Sequence, residues 1–280
     1  ISIIKVILIY MIKFKNNKYR KIIFKRNLVI KKFQKPNISN SVKEINGYNY
    51  FLNKNIFKLI KRFKIIKKKN ITQIYYKRYN QKNLSSFFKV SKFYNISNIK
   101  FKKINSTNYI KNISKNLKKN MNNENMNYIL KIDHLIKKFK NQTLLIAPAH
   151  FDFIHYNTLV AEDGYYTIDF EFFKMKKIFN YDLFNWYFTP LLTNIIRYNL
   201  NVFSNRLIDI CFIFLKIINY GYSHKLNSDF FKKKYLFFFF LEKYFFLISE
   251  KNKIKKDTRE YLKLGKLESL IIKKLQNFNL

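Results

Sequence analysis

The sequence predicts an α+β fold in which a small β-rich N-terminal lobe precedes a larger, mainly helical C-terminal lobe. The first part of the chain consists of short apolar, β-branched runs separated by turn residues. The part after Tyr181 consists of long apolar and aromatic runs with the length of packed helices. We place the boundary after residue 82, so that the lobes span residues 1–82 and 83–280 of the 280-residue chain. Because the chain starts at Ile1, the small lobe is compatible with a missing first piece.

The small lobe is expected to contain strands and one helix. Strands are expected over Ile1–Phe14, Tyr19–Lys25 and Leu28–Phe33, and strand-like sequence runs from Lys61 to Tyr79, with turns at Lys15–Lys18 and Arg26–Asn27. After Pro36, Ser39 or Ser41 is expected to cap a helix that continues to about Leu59. Glu44 then falls in the first turns of that helix, where the helix dipole favours an anion.

The large lobe begins with a segment of little periodicity. Residues 83–125 are interpreted as a mixed linker and surface segment, with one helix near Tyr109–Leu117. The apolar spacing then predicts a helix over Met126–Phe139 and a short strand over Thr143–Ala147. Packed helices are expected over the apolar runs Leu207–Ile218 and Tyr235–Ile248 and over the Lys-rich stretch Lys251–Leu280, and the aromatic runs are expected to form core rather than a membrane-docking patch.

The large positive charge is weak evidence about function. Lys+Arg 56 against Asp+Glu 16 gives +40, which normally suggests a nucleic acid or an anionic membrane as partner. However, most of these residues are Lys, and Lys occurs here with abundant Ile, Asn, Phe and Tyr, all of which have codons made only of A and T. An AT-rich genome produces this composition without selection for a partner, so nucleic acid is not expected to be the ligand.

Other features of the composition narrow the class of protein. The single cysteine, Cys211, excludes a disulfide framework within the chain and a cysteine-based zinc site. No apolar run reaches the roughly 18 residues that a membrane-spanning helix needs, and the first residues lack the features of a signal peptide. We therefore expect a cytoplasmic protein.

The acidic residues are concentrated in one window. Six of the 16 lie between residues 152 and 182, namely Asp152, Glu162, Asp163, Asp169, Glu171 and Asp182. Two of the four histidines, His150 and His155, lie at its edge. Because these residue types run against the compositional bias of the chain, this window is where chemistry is expected.

The window also contains a hairpin signal. An Asp-Gly pair stands between two short apolar runs, Thr158–Ala161 and Tyr165–Ile168. Such a hairpin brings Asn157 close to Asp169, while Asp152 lies on the loop that leads into the first strand. Three oxygen-bearing side chains therefore converge at one end of the hairpin.

These oxygens suit phosphoryl transfer. Carboxylate and amide oxygens are ligands for a hard cation such as Mg²⁺, which takes few protein ligands in addition to substrate phosphates. A carboxylate that does not bind metal can orient an attacking hydroxyl and accept its proton. Phosphoryl-transfer enzymes divide the work in this way between a loop Asp, an Asn and a second Asp.

Residues 150–184 resemble the catalytic segment of the aminoglycoside phosphotransferase and choline kinase group, within the protein-kinase-like superfamily. The matching pattern is H-x-D-x-x-x-x-N, a short hairpin, I-D-F-E and then Y-D-L-F. The resemblance implies that the fold is two-lobed and kinase-like and that Asp152 is the catalytic carboxylate. It also implies that Asn157 and Asp169 bind the metal and that Asp182 supports the catalytic loop, with His150 as a structural hydrogen-bonding residue of that loop.

The same resemblance implies a strand lysine and a helix glutamate in the small lobe. Leu28–Lys31 resembles the V-A-I-K strand, and Glu44 is the only acidic residue before Glu124. An ion pair between Lys31 and Glu44 would aim the ammonium group at the α- and β-phosphates of ATP, with Lys32 as a rival for Lys31. The family's strand–turn over the phosphates is often glycine-rich, whereas no glycine precedes Gly47 here. The Lys15–Lys18 turn could cover the phosphates with backbone amides and lysine charge, but it lacks the glycine signature.

The sequence thus predicts an ATP-dependent, Mg-assisted phosphotransferase that acts on a hydroxyl of a small molecule, either a sugar, an aminoglycoside-like compound or an amino alcohol. Two other classes remain open. One is a catalytically inactive kinase-like binding protein, and the other is a basic nucleic-acid or ribosome-associated protein whose motif is accidental. A weak peripheral membrane association is compatible with each, and no feature indicates an oligomeric state.

Overall fold

The computed structural model describes residues 20–25, 28–59, 61–77, 94–154, 157–161, 164–198, 206–222, 233–254, 258–276 and 278. The chain forms two compact units. The first comprises the residues up to 99 together with 149–174, and the second comprises 100–148 and 175–280. The proposed lobe boundary after residue 82, the strand Ile1–Phe14 and the turns Lys15–Lys18 and Arg26–Asn27 lie outside the described residues.

The first unit contains a four-stranded antiparallel sheet. Its strands are β1 (Arg20–Phe24), β2 (Leu28–Gln34), β3 (Arg62–Lys68) and β4 (Ile71–Lys77), in the order β1-β2-β4-β3. Along β4, buried and half-buried residues alternate, as expected for a strand with one face on a core. The strand-like sequence predicted from Lys61 onward forms two strands, which are joined by a turn at Lys69–Asn70 that contains neither glycine nor proline.

A single helix, α1 (Ile38–Lys54), connects β2 to β3. The prediction that this helix continues to Leu59 is wrong. It ends because Asn55 adopts a left-handed conformation (φ 49°, ψ 41°), and the Asn55 N–H bonds back to the carbonyls of Leu52 and Phe51.

The predicted start of α1 also differs from the structure. The residue before the helix is Asn37, which makes no side-chain capping bond, while Ser39 and Ser41 lie inside the helix. The Ser41 hydroxyl donates a 2.6 Å hydrogen bond to the Ile38 carbonyl. Glu44 is the seventh helical residue and lies beyond the first turn, so the helix dipole does not explain its position.

The predicted hairpin is confirmed, and the described residues also form a further sheet. The second unit has a three-stranded sheet built from β5 (Lys102–Asn105), β6 (Thr143–Ala149) and β9 (Lys174–Ile178), in the order β5-β6-β9. The hairpin pairs β7 (Thr158–Ala161) with β8 (Gly164–Thr167) in antiparallel register. The segment after α1 is attached to it, because the Thr167 N–H donates a 2.9 Å hydrogen bond to the Lys58 carbonyl.

The rest of the second unit is helical, as predicted. Its helices among the described residues are α2 (Ser106–Lys119), α3 (Met126–Lys137), α4 (Tyr181–Arg197), α5 (Leu207–Tyr222), α6 (Lys233–Lys251) and α7 (Arg259–Leu275). The aromatic run of α6 forms core, since Phe237, Phe238 and Phe239 are fully buried. None of the helices in the described part of the chain combines the length and the apolar character needed to cross a membrane.

Two charged residues of α6 are also buried, and both have partners. The Glu242 carboxylate accepts a 2.5 Å hydrogen bond from the Tyr109 hydroxyl and forms a 2.8 Å ion pair with Lys177. The Lys243 ammonium donates a 2.9 Å hydrogen bond to Asn185 Oδ1. Burying a charge without a partner is costly. These contacts offset that cost, so that α6 can be buried although it carries Glu242 and Lys243.

Candidate active site

The side chain of Lys31 lies between two carboxylates in the first unit. It extends from the middle of β2 and is only 6% exposed. The Lys31 ammonium lies 2.7 Å from Glu44 Oε1 on α1 and 3.0 Å from Asp169 Oδ1 in the I-D-F-E segment. The ion pair expected from the resemblance is present, and Lys31 rather than Lys32 forms it.

The Glu44 carboxylate has a second donor that the sequence did not indicate. The Tyr76 hydroxyl, on β4, donates a 2.6 Å hydrogen bond to Glu44 Oε1, the same oxygen that Lys31 contacts. Burial and the nearby negative charge of Glu44 raise the pKa of Tyr76 well above its usual value. The phenol therefore stays protonated and acts as a donor.

Asp169 is buried and held in a left-handed backbone conformation, with φ 70°. The described non-glycine residues with positive φ are three asparagines and two others, Phe151 and Asp169. Asparagine and aspartate tolerate this conformation, whereas phenylalanine rarely adopts it. The uncommon case is therefore Phe151, which precedes Asp152 in the segment that the sequence singled out, and strained backbone is frequent at functional sites.

His150 connects the Asp152 loop to the Asp169 segment. Its Nε2 lies 2.8 Å from the Ile168 carbonyl, and its Nδ1 accepts a 3.3 Å hydrogen bond from the Asp152 N–H. The two bonds fit a neutral imidazole with its proton on Nε2. The ring is fully buried among aromatic residues, with Phe170 at 4.6 Å between ring centroids. His150 is thus placed to hold the two loops together.

Asp152 and Asn157 form a direct pair. The Asn157 amide nitrogen donates to the Asp152 carbonyl at 2.7 Å and to Asp152 Oδ2 at 2.8 Å. Asn157 is buried, while Asp152 is half-buried. The hairpin also brings Asn157 beside the Asp169 segment, because the Ile168 N–H donates a 2.9 Å hydrogen bond to the Asn157 carbonyl.

The donor set fits the magnesium ion that the sequence predicts. The Asn157 amide nitrogen donates to two oxygen atoms of Asp152, and the amide oxygen is the atom of this side chain that is chemically able to bind a metal. Asp169 supplies a carboxylate one residue after Ile168, whose N–H bonds to the Asn157 carbonyl. Proteins that bind phosphates typically coordinate Mg²⁺ through a small number of such oxygen ligands.

Helix α1 approaches the Asp169 segment closely at Gly47. A Cβ atom at this position would lie 2.8 Å from the Phe173 Cβ and 2.9 Å from the Phe170 Cβ. Only glycine permits this approach, because both neighbouring atoms are fixed to the backbone. Gly47 is not among the site residues that the sequence predicts, although glycine is one of the rare residue types in this chain and its rarity is a signal. Tyr76, one of 21 tyrosines, gave no such signal.

The remaining predicted residues are placed as follows. Asp182 is buried at the start of α4, in the second unit, and its role in supporting the catalytic loop stays a prediction. His155 lies outside the described residues. Cys211 is buried, and burial raises the pKa of its thiol, so it stays protonated.

No protein-family model matches the chain, and no curated protein matches its sequence. Solved structures do match. Aminoglycoside 2'-phosphotransferase-IIIa in its GDP complex superposes with a TM-score of 0.54 and 10% identity, covering 92% of this chain and 91% of that one. A thermostable mutant of aminoglycoside phosphotransferase APH(4)-Ia, in ternary complex with AMP-PNP and hygromycin B, superposes with a TM-score of 0.53 and 10% identity, covering 91% and 90%.

ADP-bound aminoglycoside phosphotransferase APH(2'')-Ib is a further match, with a TM-score of 0.51, 12% identity and coverage of 96% of this chain and 98% of that one. At such identities the likeness establishes the fold. The fold predicted from the catalytic segment is confirmed: the chain has the two-lobed, protein-kinase-like α+β fold of the aminoglycoside phosphotransferases.

Proposed function

We propose that this chain is a small-molecule kinase that transfers the γ-phosphoryl group of ATP to a hydroxyl, with the help of Mg²⁺. The observation that carries the proposal is the buried contact of Lys31 with both Glu44 and Asp169. It joins the sheet, α1 and the I-D-F-E segment at one cationic group, within a fold shared with phosphotransferases. A lysine held in this way is suited to phosphate oxygens.

Each residue of the site has a role in this proposal. Asp152 orients the acceptor hydroxyl and takes its proton as the oxygen attacks the γ-phosphorus. The bond from the γ-phosphorus to the bridging oxygen breaks, and ADP leaves. Lys31, fixed by Glu44, contacts the phosphates. Asn157 and Asp169 would hold Mg²⁺, which supplies charge neutralisation at the phosphates when bound.

The nucleotide is proposed to be ATP, with GTP as the comparison to make. The similar structures were solved with AMP-PNP, ADP or GDP bound to those proteins. All of these nucleotides share the phosphate chain that Lys31 would contact. The acceptor is proposed to be a hydroxyl compound of low molecular weight, since the APH(4)-Ia complex contains hygromycin B.

The first test is nucleotide binding by the intact chain and by Asp169→Asn. Asparagine accepts the left-handed backbone of residue 169, so this variant removes the charge with less strain than alanine would introduce. A ligand that binds only the folded state stabilises it by about 2.7 kcal/mol at a hundredfold excess over Kd. We expect Mg-ATP to raise the melting temperature of the intact chain, EDTA to abolish the rise, and Asp169→Asn to lose most of it.

Asp209→Asn is the matched control. Asp209 is an exposed carboxylate on α5, in the second unit, whereas Lys31, Glu44 and Asp169 belong to the first unit, so this variant makes the same charge change on the other unit. It is expected to keep the full response. A rise that Asp169→Asn retains, or one that does not need Mg²⁺, would contradict the proposal. Release of ADP in the presence of a panel of sugars, amino alcohols and aminoglycosides then identifies the acceptor class.

A further inference from the structure

The Glu44 carboxylate is held through one of its two oxygens. The Lys31 ammonium and the Tyr76 hydroxyl both donate to Oε1, at 2.7 and 2.6 Å. Glu44 is 1% exposed, and within the described part of the chain its Oε2 accepts no hydrogen bond. The orientation of the carboxylate, and with it the position of the oxygen that faces Lys31, therefore depends on the two donors to Oε1.

Tyr76 reaches Glu44 from a rigid position. It lies on β4, between β2 and β3, where it faces Val29 on one side and Arg62 on the other. Its ring packs against Tyr48 of α1 at 6.0 Å between centroids. The Lys31 ammonium lies 5.7 Å from the centroid of the Tyr76 ring, within the range of a cation–π contact. The side chain thus contacts both members of the ion pair.

We infer that Tyr76 is a positioning residue for nucleotide binding: its hydroxyl fixes the Glu44 carboxylate, and its ring and that carboxylate together fix the Lys31 ammonium. This inference rests on the proposed function, because Lys31 is the group expected to contact the nucleotide phosphates. Without the hydroxyl, Lys31 is the one remaining donor to Glu44 within the described part of the chain, and the carboxylate can rotate about its terminal bond. Lys31 is then held less precisely when the phosphates arrive, which costs nucleotide affinity.

The test is Tyr76→Phe, which removes the hydroxyl and keeps the ring. The matched control is Tyr75→Phe on the same strand. The Tyr75 side chain is half-buried on the other face of β4, and its hydroxyl donates to Gln73 at 2.9 Å. Binding of Mg-AMP-PNP is measured by isothermal titration calorimetry, and KM values for ATP and for the acceptor are measured where turnover is found.

We expect Tyr76→Phe to raise the Kd for Mg-AMP-PNP by about threefold to tenfold, the range of one hydrogen bond, and to leave the KM of the acceptor unchanged. Tyr75→Phe is expected to bind like the intact chain. In the background of Glu44→Gln, which disrupts the same contact, Tyr76→Phe should have a smaller effect, since residues that act through one contact are not additive.

The outcomes separate this inference from the proposed function. If the intact chain does not bind Mg-AMP-PNP, the proposed function fails. If the intact chain binds and Tyr76→Phe binds equally well, the proposed function stands and the positioning role is wrong. A variant with weaker binding of nucleotide and acceptor alike, and with a lower melting temperature, would show a structural role only and would also overturn the inference.

Discussion

At the scale of the residue, the site is defined by side chains that hold one another. His150 bonds to the Asp152 backbone and to the Ile168 carbonyl, and Asn157 bonds to the Asp152 side chain. Each of these contacts restricts Asp152 or the segment before Asp169. A carboxylate held in this way loses little freedom when a substrate binds, which is the physical advantage of a preorganised site.

The role of Asp152 can be separated from nucleotide binding by Asp152→Asn. The asparagine oxygen can still accept from Asn157, and the backbone bond to His150 is unchanged, so we expect the loop to keep its structure. General base catalysis typically contributes about a hundredfold to ten-thousandfold in rate. We therefore expect kcat to fall by about that factor while the Kd for Mg-AMP-PNP stays within about twofold of the original.

Stopped-flow or coupled measurement of ADP release gives kcat, and calorimetry gives the Kd. A variant that loses nucleotide affinity as strongly as it loses turnover would instead indicate that Asp152 supports the phosphate or metal site. Asp209→Asn again serves as the control for charge, because it is an exposed carboxylate on a helix of the second unit.

Much of the site was visible in the sequence because its residue types are scarce there. Asp152, Asn157 and Asp169 stand at a fixed spacing around a hairpin, and Glu44 is the only acid in a long basic stretch. Their proposed roles stay predictions. Tyr76 could not be found in the same way, because its contribution depends on which face of β4 it occupies and on what lies opposite, and neither is encoded locally.

At the scale of the element, α1 is fixed at two points. Glu44 contacts Lys31 and Tyr76 of the sheet, and Gly47, one turn further, lies against Phe170 and Phe173. The helix thereby couples the strand lysine to the segment that carries Asp169. A shift of α1 away from Phe170 would change the geometry of the ion pair.

The surroundings of Gly47 in α1 and of Gly265 in α7 predict opposite effects of a Gly→Ala substitution on the free energy of unfolding. Gly47→Ala places a Cβ within 2.9 Å of two Cβ atoms that cannot move without the backbone, and overpacking typically costs about 1–3 kcal/mol. Gly265→Ala, in α7, meets nothing within 4 Å and gains about 0.8–1 kcal/mol of helix propensity. We expect the first to lower the free energy of unfolding and the second to raise it.

Urea denaturation followed by circular dichroism measures both changes. Gly47→Ala should also weaken Mg-AMP-PNP binding, because the displaced helix carries Glu44. If Gly47→Ala is as stable as Gly265→Ala, the close approach of α1 to the Asp169 segment is not a feature of the protein in solution.

The features of the fold that the sequence did not predict have no clear local signal. Lysine occupies two of the four positions of β5 (KKIN) and three of the five positions of β9 (KMKKI), so the apolar alternation that marks a strand is absent. The end of α1 at Lys54 depends on one residue, Asn55, in a left-handed conformation. In a chain with abundant asparagine, that position does not stand out from the others.

At the scale of the whole molecule, the net charge of +40 and the buried site predict different salt dependences for nucleotide binding. A basic surface attracts any polyanion, and this attraction falls steeply as salt is added because surface charges are screened and counterions are released. Lys31 is 6% exposed, so its contact with phosphates is screened much less. Salt dependence therefore distinguishes a kinase site from a generally basic, nucleic-acid-binding surface.

We expect the affinity for Mg-AMP-PNP to fall less than about threefold between 0.1 and 0.5 M NaCl, since few surface ions are displaced. Inorganic tripolyphosphate and a short single-stranded RNA, measured on the same protein, should lose affinity much more steeply over this range. Asp169→Asn should remove the salt-resistant component and leave the salt-sensitive one unchanged. If all three ligands instead show the same steep dependence, and Asp169→Asn alters none of them, the phosphates bind to the basic surface and the site around Lys31 is not a nucleotide site.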